Sequence, residues 1–558
     1  MPSSLFDRHR ARLEEARAAC RDRRCWSPFP EMPSGRIYGE TAAEDGRRAF
    51  EARLGKPFEL DQPTSGERLG NEHSPYGFPL GITYPAPDIP AMLRSAKSAM
   101  GAWRDAGIEG RVGVCMEVLD RLNRRSFELA HAVMHTTGQG FVMAFQAGGP
   151  HAQDRGLEAV ALAFDAMTRI PPRAVWEKPV GKGRTARFEK IYTAVPRGLA
   201  LVIGCSTFPT WNSYPGLFAS LACGNPVIVK PHPRSVLPLA ITVETVREVL
   251  RERGLPADLV QLAVDSAGAP ITTALATHPD IRLIDYTGSG SFGDWLEAHA
   301  RQAQLFTEKA GVNPVIIDST DDFTGMTRNL AFSLCLYSGQ MCTTPQNLFV
   351  PAGGIVTNEG RKSFDEVARG ILDAVDALLA DPERAAEVLG CIQNPDTLER
   401  LERVARAAGD AVLRASTPLT HPRFEKACLR SPLVVHAESG EEDLYMREWF
   451  GPISFLVEAD STLDAIERAA RGARERGAIT AAVYSTDEEV LAATEAAMLE
   501  AGVALSENLT GGVYVNQSAA FSDFHVSGAN PAGNATLTDD AFVAPRFRFV
   551  QRRRPLAD

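Results

Sequence analysis

A surplus of basic residues is what this 558-residue chain most plainly lacks: 59 Lys and Arg stand against 70 Asp and Glu, a net charge of −11. A surface that neutralises phosphates needs the opposite balance, so a nucleic-acid partner is excluded, and so is docking on an anionic membrane. No apolar run approaches the roughly 18 residues that a bilayer-spanning helix needs. The longest, such as Leu199–Ile203, are strand-sized. The N-terminal stretch MPSSLFDRHRARLEEARAAC is charged and helical and has no secretory apolar core, so a cytoplasmic location is expected. Cysteine is sparse and odd in number: nine, at 20, 25, 115, 205, 223, 335, 342, 391 and 428. Such scatter is no disulfide framework, and Cys20 and Cys25 lack the second pair that a structural zinc would require. No metal is expected. A reducing compartment leaves the thiols free, and one of them available as a nucleophile. Internal repeats and low-complexity tracts are absent too.

What is present suffices for two or three packed units, with 44% hydrophobic and 23% charged residues. Residues 1–90 open with a charged helix and continue as Pro- and Gly-rich sequence, which reads as an N-terminal arm wrapping a neighbouring unit. Over 89–167 apolar residues recur at helical spacing. Residues 175–197 are β-rich and polar without a helical period, which predicts an extended ribbon. From Leu199 strands and helices alternate: LALVIG, NPVIVKP, LVQLAVD and IRLIDYTG are strands, with helices over 237–253 and 292–303 between or after them. A second alternating unit begins near Asn313 with NPVIID and a long helix to Ser338. It continues through NLFVP, SPLVVHA and AITAAVYS, and FVAPRFRFVQRRR closes the chain as an exposed strand. Strand–helix alternation in units of about 30 residues is the pattern of a parallel sheet with crossover helices.

Four segments can carry chemistry. YTGSGSFG ends a strand and opens a helix, with Gly288, Gly290 and Gly293 in a G-x-G-x-x-G pattern. Such a turn aims backbone N–H groups at a diphosphate; equally, its glycines can serve only close packing. SGQMCTTPQN displays Cys342 among small polar residues on a loop after a helix, where a thiolate can attack a carbonyl. LFTEKAG carries Glu308, and REWFGPISF carries Glu448 and Phe450. Read blandly, Glu308 is solvated surface and Phe450 is core.

In combination, GNPVIVKP, TGSGSFG, FTEKAG, GQMC and EWFGP resemble the aldehyde dehydrogenase superfamily from about Ala96 to the end of the chain, and the 34-residue spacing of Glu308 and Cys342 fits that family without a gap. The resemblance implies an NAD(P)-dependent oxidation of an aldehyde to a carboxylate. Cys342 would be the nucleophile, passing through a thiohemiacetal and a thioester, and Glu308 the base that activates the thiol or the hydrolytic water. Gly288, Ser289 and Gly293 would line the cofactor diphosphate, Lys230 would reach the adenosine ribose, and Glu448 and Phe450 would hold the nicotinamide ribose and ring. This role frees Glu308 from the ribose duty that the dinucleotide rule would give it.

Two departures stand out. The family usually places Trp-Asn before Phe-Pro, the Asn serving the oxyanion, whereas here the stretch reads CSTFPTWNSYPG. Counting back without a gap from Gly224 and Lys230 puts Thr207 at that position, so Thr207 is preferred to Asn212, with the Cys342 backbone N–H as a second donor. Members specific for NAD often carry a carboxylate three residues after the Lys. Here Pro233 stands there, followed by Arg234, which can pair with a 2′-phosphate, so NADP is expected beside NAD.

The long N-terminal segment, CSTFPTWNSYPG and KPHP are similar to the phenylacetic acid degradation protein PaaN branch of the superfamily. That branch implies a coenzyme A-linked semialdehyde from a ring-opened thioester. Phe521, Phe524 and His525 can line its pocket or only pack, and packing is preferred. An acylating dehydrogenase releasing an acyl-coenzyme A and a non-catalytic scaffold of the same fold are the alternatives; retention of Cys342 and Glu308 argues against the second. The implied architecture is α/β: an arm over 1–90, a cofactor domain over 91–308 interrupted by the ribbon at 177–197, a catalytic domain over 309–517, and a C-terminal return over 518–558. The ribbon and a strand near 541–553 would pair across the interface of a homodimer or homotetramer, since an exposed strand edge needs a partner.

Overall fold

A computed structural model describes residues 4–556. Strands Gln304–Glu308, Ile281–Thr287, Leu199–Ile203, Val227–Lys230 and Val260–Leu262 form, in that spatial order, a five-stranded parallel sheet. Its strands bury both faces, as parallel strands between helix layers must. Ala200, Val202, Val227 and Val229 enter one core, while Leu199, Leu201, Ile203 and Ile228 enter the other, which is the period-2 alternation of a pleated strand. A seven-stranded sheet forms the second unit, in the order Val412–Arg414, Leu433–Glu438, Ile453–Ala459, Asn347–Pro351, Pro314–Ile317, Thr480–Tyr484 and Ala504–Glu507. Only its first strand runs antiparallel to its neighbour. Its residues divide the same way: Ile316, Phe349 and Phe455 face one layer, Val315, Leu348 and Leu456 the other.

Residues 4–90 pack into the first unit. Helix Leu5–Asp22, capped by the Ser4 hydroxyl, lies on helices Gly107–Arg124 and Pro150–Thr168. Its Leu5, Phe6, Leu13 and Ala16 belong to the same core as Ala200 and Val202. Strands Arg173–Pro179 and Thr185–Pro196 form the ribbon, which begins before either start, 175 or 177, read from the sequence. The expectation that the C-terminal strand pairs with it across a subunit interface is corrected: Phe547–Pro555 pairs antiparallel with Thr185–Pro196 of its own chain, from Phe547 opposite Pro196 to Pro555 opposite Phe188. The anchor of this return is Arg546, fully buried, whose guanidinium meets Asp285 at 2.5 and 2.8 Å between the rings of Phe306 and Phe542. Among the described residues no helix is long and apolar enough to cross a membrane.

Candidate active site

The site is assembled where the ends of three segments converge. Glu308 is the last residue of Gln304–Glu308 and is 1% exposed. Its Oε2 accepts from Asn212 Nδ2 at 2.8 Å and from the Thr287 hydroxyl at 3.5 Å, and its Oε1 faces His525 Nε2 at 3.1 Å. Cys342 stands opposite, with Sγ 3.7 Å from His525 Nε2, and the reactive atoms of Glu308, Cys342 and His525 all lie within 4.8 Å of one another. Burial raises the Cys342 thiol well above its ordinary value, and the Glu308 charge adds to the effect.

A strained turn delivers the cysteine. The helix expected to run to Ser338 ends at Cys335, because Tyr337 and Ser338 adopt left-handed backbone with φ of 52° and 49°. Such conformations persist in non-glycine residues only when neighbours enforce them. Here the Tyr337 hydroxyl donates to Thr137 O at 2.5 Å and the Ser338 hydroxyl to Leu389 O at 3.0 Å. Gly339 continues the left-handed run at φ 63° against Gly451 O, where a Cβ would come within 2.3 Å. Past the turn, Asn313 Nδ2 donates to the carbonyls of Cys342 and Thr344 at 2.8 and 2.9 Å.

Cys342 opens on a cleft of ≈ 260 Å³ that Glu448 and Phe450 also line. Burial pushes the Glu448 carboxyl up to about 7, with Arg400 opposing it. The turn at 288–293 begins helix Gly290–His299, and the Ser289 hydroxyl caps it by accepting from Phe292 N at 3.4 Å. Space at Gly290 is open, whereas Gly293 is needed by the Lys309 stem, which a Cβ would meet at 2.6 Å. Lys230 ends its strand with Nζ 2.7 Å from Asp265 and donating to Pro231 O at 2.8 Å, both ionic partners buried. Arg234 follows in a turn where its backbone N–H meets His232 Nδ1 at 3.2 Å. The Thr207 hydroxyl is 3.9 Å from Cys205 Sγ, and Thr207 O accepts from Gln139 Nε2.

A family model described as aldehyde dehydrogenase family matches residues 83–534, a span that contains every candidate residue above. The chain belongs to the aldehyde dehydrogenase family. It is an oxidoreductase acting on aldehydes. A crystal structure of an NAD-dependent aldehyde dehydrogenase from Burkholderia multivorans is similar over 100% of both chains, with TM-score 0.98 and 55% identity. Aldehyde dehydrogenase LUC3 of a Fusarium species is 25% identical over 465 residues, 81% of this chain and 89% of that one. An N-succinylglutamate 5-semialdehyde dehydrogenase of Chromobacterium violaceum is 28% identical over 403 residues, 70% and 76% of the two chains.

Three functional residues carry no local signal in the sequence. Asp265, at the end of LVQLAVD, neutralises Lys230, and nothing local marks a pair formed across the sheet. Asn313, at a strand start, holds the cysteine loop. His525, for which packing is the preferred expectation, lies between the two reactive groups, while Phe521 packs against Trp26 in the core and Phe524 lies exposed under Arg23.

Proposed function

We propose that this chain oxidises an aldehyde to a carboxylate with NAD or NADP, by way of a thioester on Cys342. The observation that carries this reading is the meeting of the Cys342 thiol and the Glu308 carboxylate beside a cleft that Glu448 and Phe450 complete. Cys342 Sγ attacks the carbonyl carbon while Glu308 takes the thiol proton. Asn212 Nδ2 donates one hydrogen to Glu308 and its Oδ1 accepts from the Cys205 thiol at 3.6 Å, so its second N–H remains a donor. The Thr207 hydroxyl, the Asn212 N–H and the Cys342 backbone N–H are the candidate donors for the developing oxyanion. Glu308 passes the thiol proton on to solvent, and after oxidation its carboxylate deprotonates the water that hydrolyses the thioester.

The residues present fit a nicotinamide dinucleotide: an open helix N-terminus at Ser289 and Gly290 for the diphosphate, Lys230 at a strand end, and a half-buried Glu448 as acceptor for ribose hydroxyls. The chemistry such a cofactor supplies is acceptance of the hydride released at the adduct carbon. The Burkholderia multivorans relative, named NAD-dependent, supports NAD, while Pro233 and Arg234 leave room for a 2′-phosphate.

A semialdehyde substrate is supported by the semialdehyde dehydrogenases among the relatives. The narrower assignment, a coenzyme A-linked semialdehyde of aromatic-compound degradation, rests on the long N-terminal segment, CSTFPTWNSYPG and KPHP, and a cytoplasmic location on the charged N-terminal stretch without a secretory apolar core. The test is growth of reduced-nicotinamide absorbance with NAD and with NADP across aldehydes that include ring-opened acyl-coenzyme A semialdehydes. Cys342→Ala is expected to abolish that signal and to retain cofactor binding; full turnover in this variant would overturn the thioester route.

A further inference from the structure

We propose that His525 is a catalytic residue: its Nε2–H holds the Glu308 carboxylate before Cys342 is deprotonated and turns to the Cys342 thiolate afterwards. The inference rests on the function proposed above and deepens it. An ionised carboxylate only accepts, so the hydrogen between Nε2 and Glu308 Oε1, 3.1 Å apart, belongs to the imidazole. The same Nε2 lies 3.7 Å from Cys342 Sγ, so one N–H reaches either acceptor by a small tilt of the ring. During deprotonation the Sγ–H bond breaks and its proton goes to Glu308 Oε1. The single negative charge of the trio moves from carboxylate to sulfur, and the Nε2–H follows it. Without that donor, the thiolate is left in a largely desolvated site with no imidazole N–H to stabilise its charge.

The ring is built into place. Trp211 meets it edge-on at 4.7 Å, and Arg155, 5.2 Å from the Trp211 ring, holds the preceding loop through Asp523 O and the Ser518 hydroxyl. The His525 carbonyl accepts from the Thr536 hydroxyl and from Leu537 N, both at 3.2 Å. Val526, the next residue, is buried at φ 63°, a conformation that a β-branched side chain adopts only under constraint. The ionisable groups around the imidazole are Glu308 from the sheet and Cys342 from the cysteine loop, with Cys205, from the loop before the helix that carries Trp211, near both of these, and, behind Trp211, Arg155 paired with Glu158 at 2.9 Å.

The test is the pH dependence of Cys342 alkylation by iodoacetamide in the full chain, read by mass spectrometry of the Cys342 peptide, alongside turnover. Loss of the donor in His525→Ala is expected to slow alkylation at pH 8 by about ten- to hundredfold, the profile moving to higher pH by about one to two units. The turnover number should fall by about ten- to hundredfold with KM nearly unchanged. His525→Gln, which keeps an N–H at the end of the side chain, should recover part of both losses. If His525→Ala does not fold, His525→Phe, which fills the space without a donor, is held to the same criteria. An alkylation profile that superposes on the wild type overturns the proposal. That outcome with a dead Cys342→Ala removes only the role of His525, whereas an active Cys342→Ala removes the thioester route itself.

Discussion

Two carboxylates in one site are set apart by their surroundings. Glu308 faces three polar partners, Asn212, Thr287 and His525. Glu448 has Arg400 as its charged neighbour but is otherwise desolvated, and burial dominates, carrying it from 4.5 to about 7. Between these two values the folded chain holds a proton that the unfolded chain has released. Stability therefore falls as pH rises from about 4.5 to about 7 and stays lower above, by about 3 kcal/mol from this one group. Glu448→Gln, which cannot ionise, is expected to stabilise the cofactor-free protein by about that amount at pH 8 and far less at pH 5. Denaturant unfolding at the two pH values checks this; an equal gain at both would show that ionisation of Glu448 is not the cause. The arrangement accords with an acceptor held ready for hydroxyl donors at a cost in stability.

Whole elements answer to a different balance, that of buried pairs and strand edges. The C-terminal strand Phe547–Pro555 joins the body through Arg546, which also donates to the Ser220 hydroxyl at 2.8 Å. Asp285 sits in the middle of the five-stranded sheet, so losing the guanidinium would strand a buried carboxylate. Arg546→Ala is expected to cost about 3–5 kcal/mol, measured by urea unfolding, because removing one partner of a buried pair leaves the other uncompensated. A loss below about 1 kcal/mol would mean that water relieves Asp285. At this scale the sequence was most legible. Strands such as LALVI and NLFVP announce themselves because parallel strands between two helix layers are apolar on both faces. The motifs around Glu308 and Cys342 stood out through small and polar residues at element ends. What stayed hidden was long-range: the seat of Leu5–Asp22 against later helices, the Lys230–Asp265 pair, and the arrival of His525 at Glu308. The helix end at Cys335 was hidden for the same reason, since Tyr337 and Ser338 carry no glycine or proline signal and their left-handed backbone is held by bonds to the distant Thr137 and Leu389.

At the scale of the whole molecule, strand edges remain that no other described residues of the chain close. Because the C-terminal strand is already paired within the chain, the free edges of the ribbon sheet are the outer sides of Arg173–Pro179 and Phe547–Pro555, and the seven-stranded sheet ends at Ala504–Glu507. Apolar residues accompany two of these edges: Val175, Val180 and Val550 are each at least half exposed. Backbone groups in a row with apolar side chains beside them form a template for another chain, and proteins that keep such edges normally cover them. A homodimer or homotetramer in which a partner covers the ribbon resolves this, with the contact at the sheet edges rather than in the exchange of the C-terminal strand. Sedimentation equilibrium of the wild type at micromolar concentration is expected to give a multiple of 60.4 kDa. Val175→Lys combined with Val550→Lys, which puts charge on both edges without touching the Arg546 anchor, should shift the distribution towards 60.4 kDa while leaving the folded content unchanged. A wild type that sediments as a monomer would mean that the ribbon's own twist and the charges of Arg552, Arg553 and Arg554 are enough to protect it. A double variant that still assembles would move the interface away from the ribbon, to the edge at Ala504–Glu507.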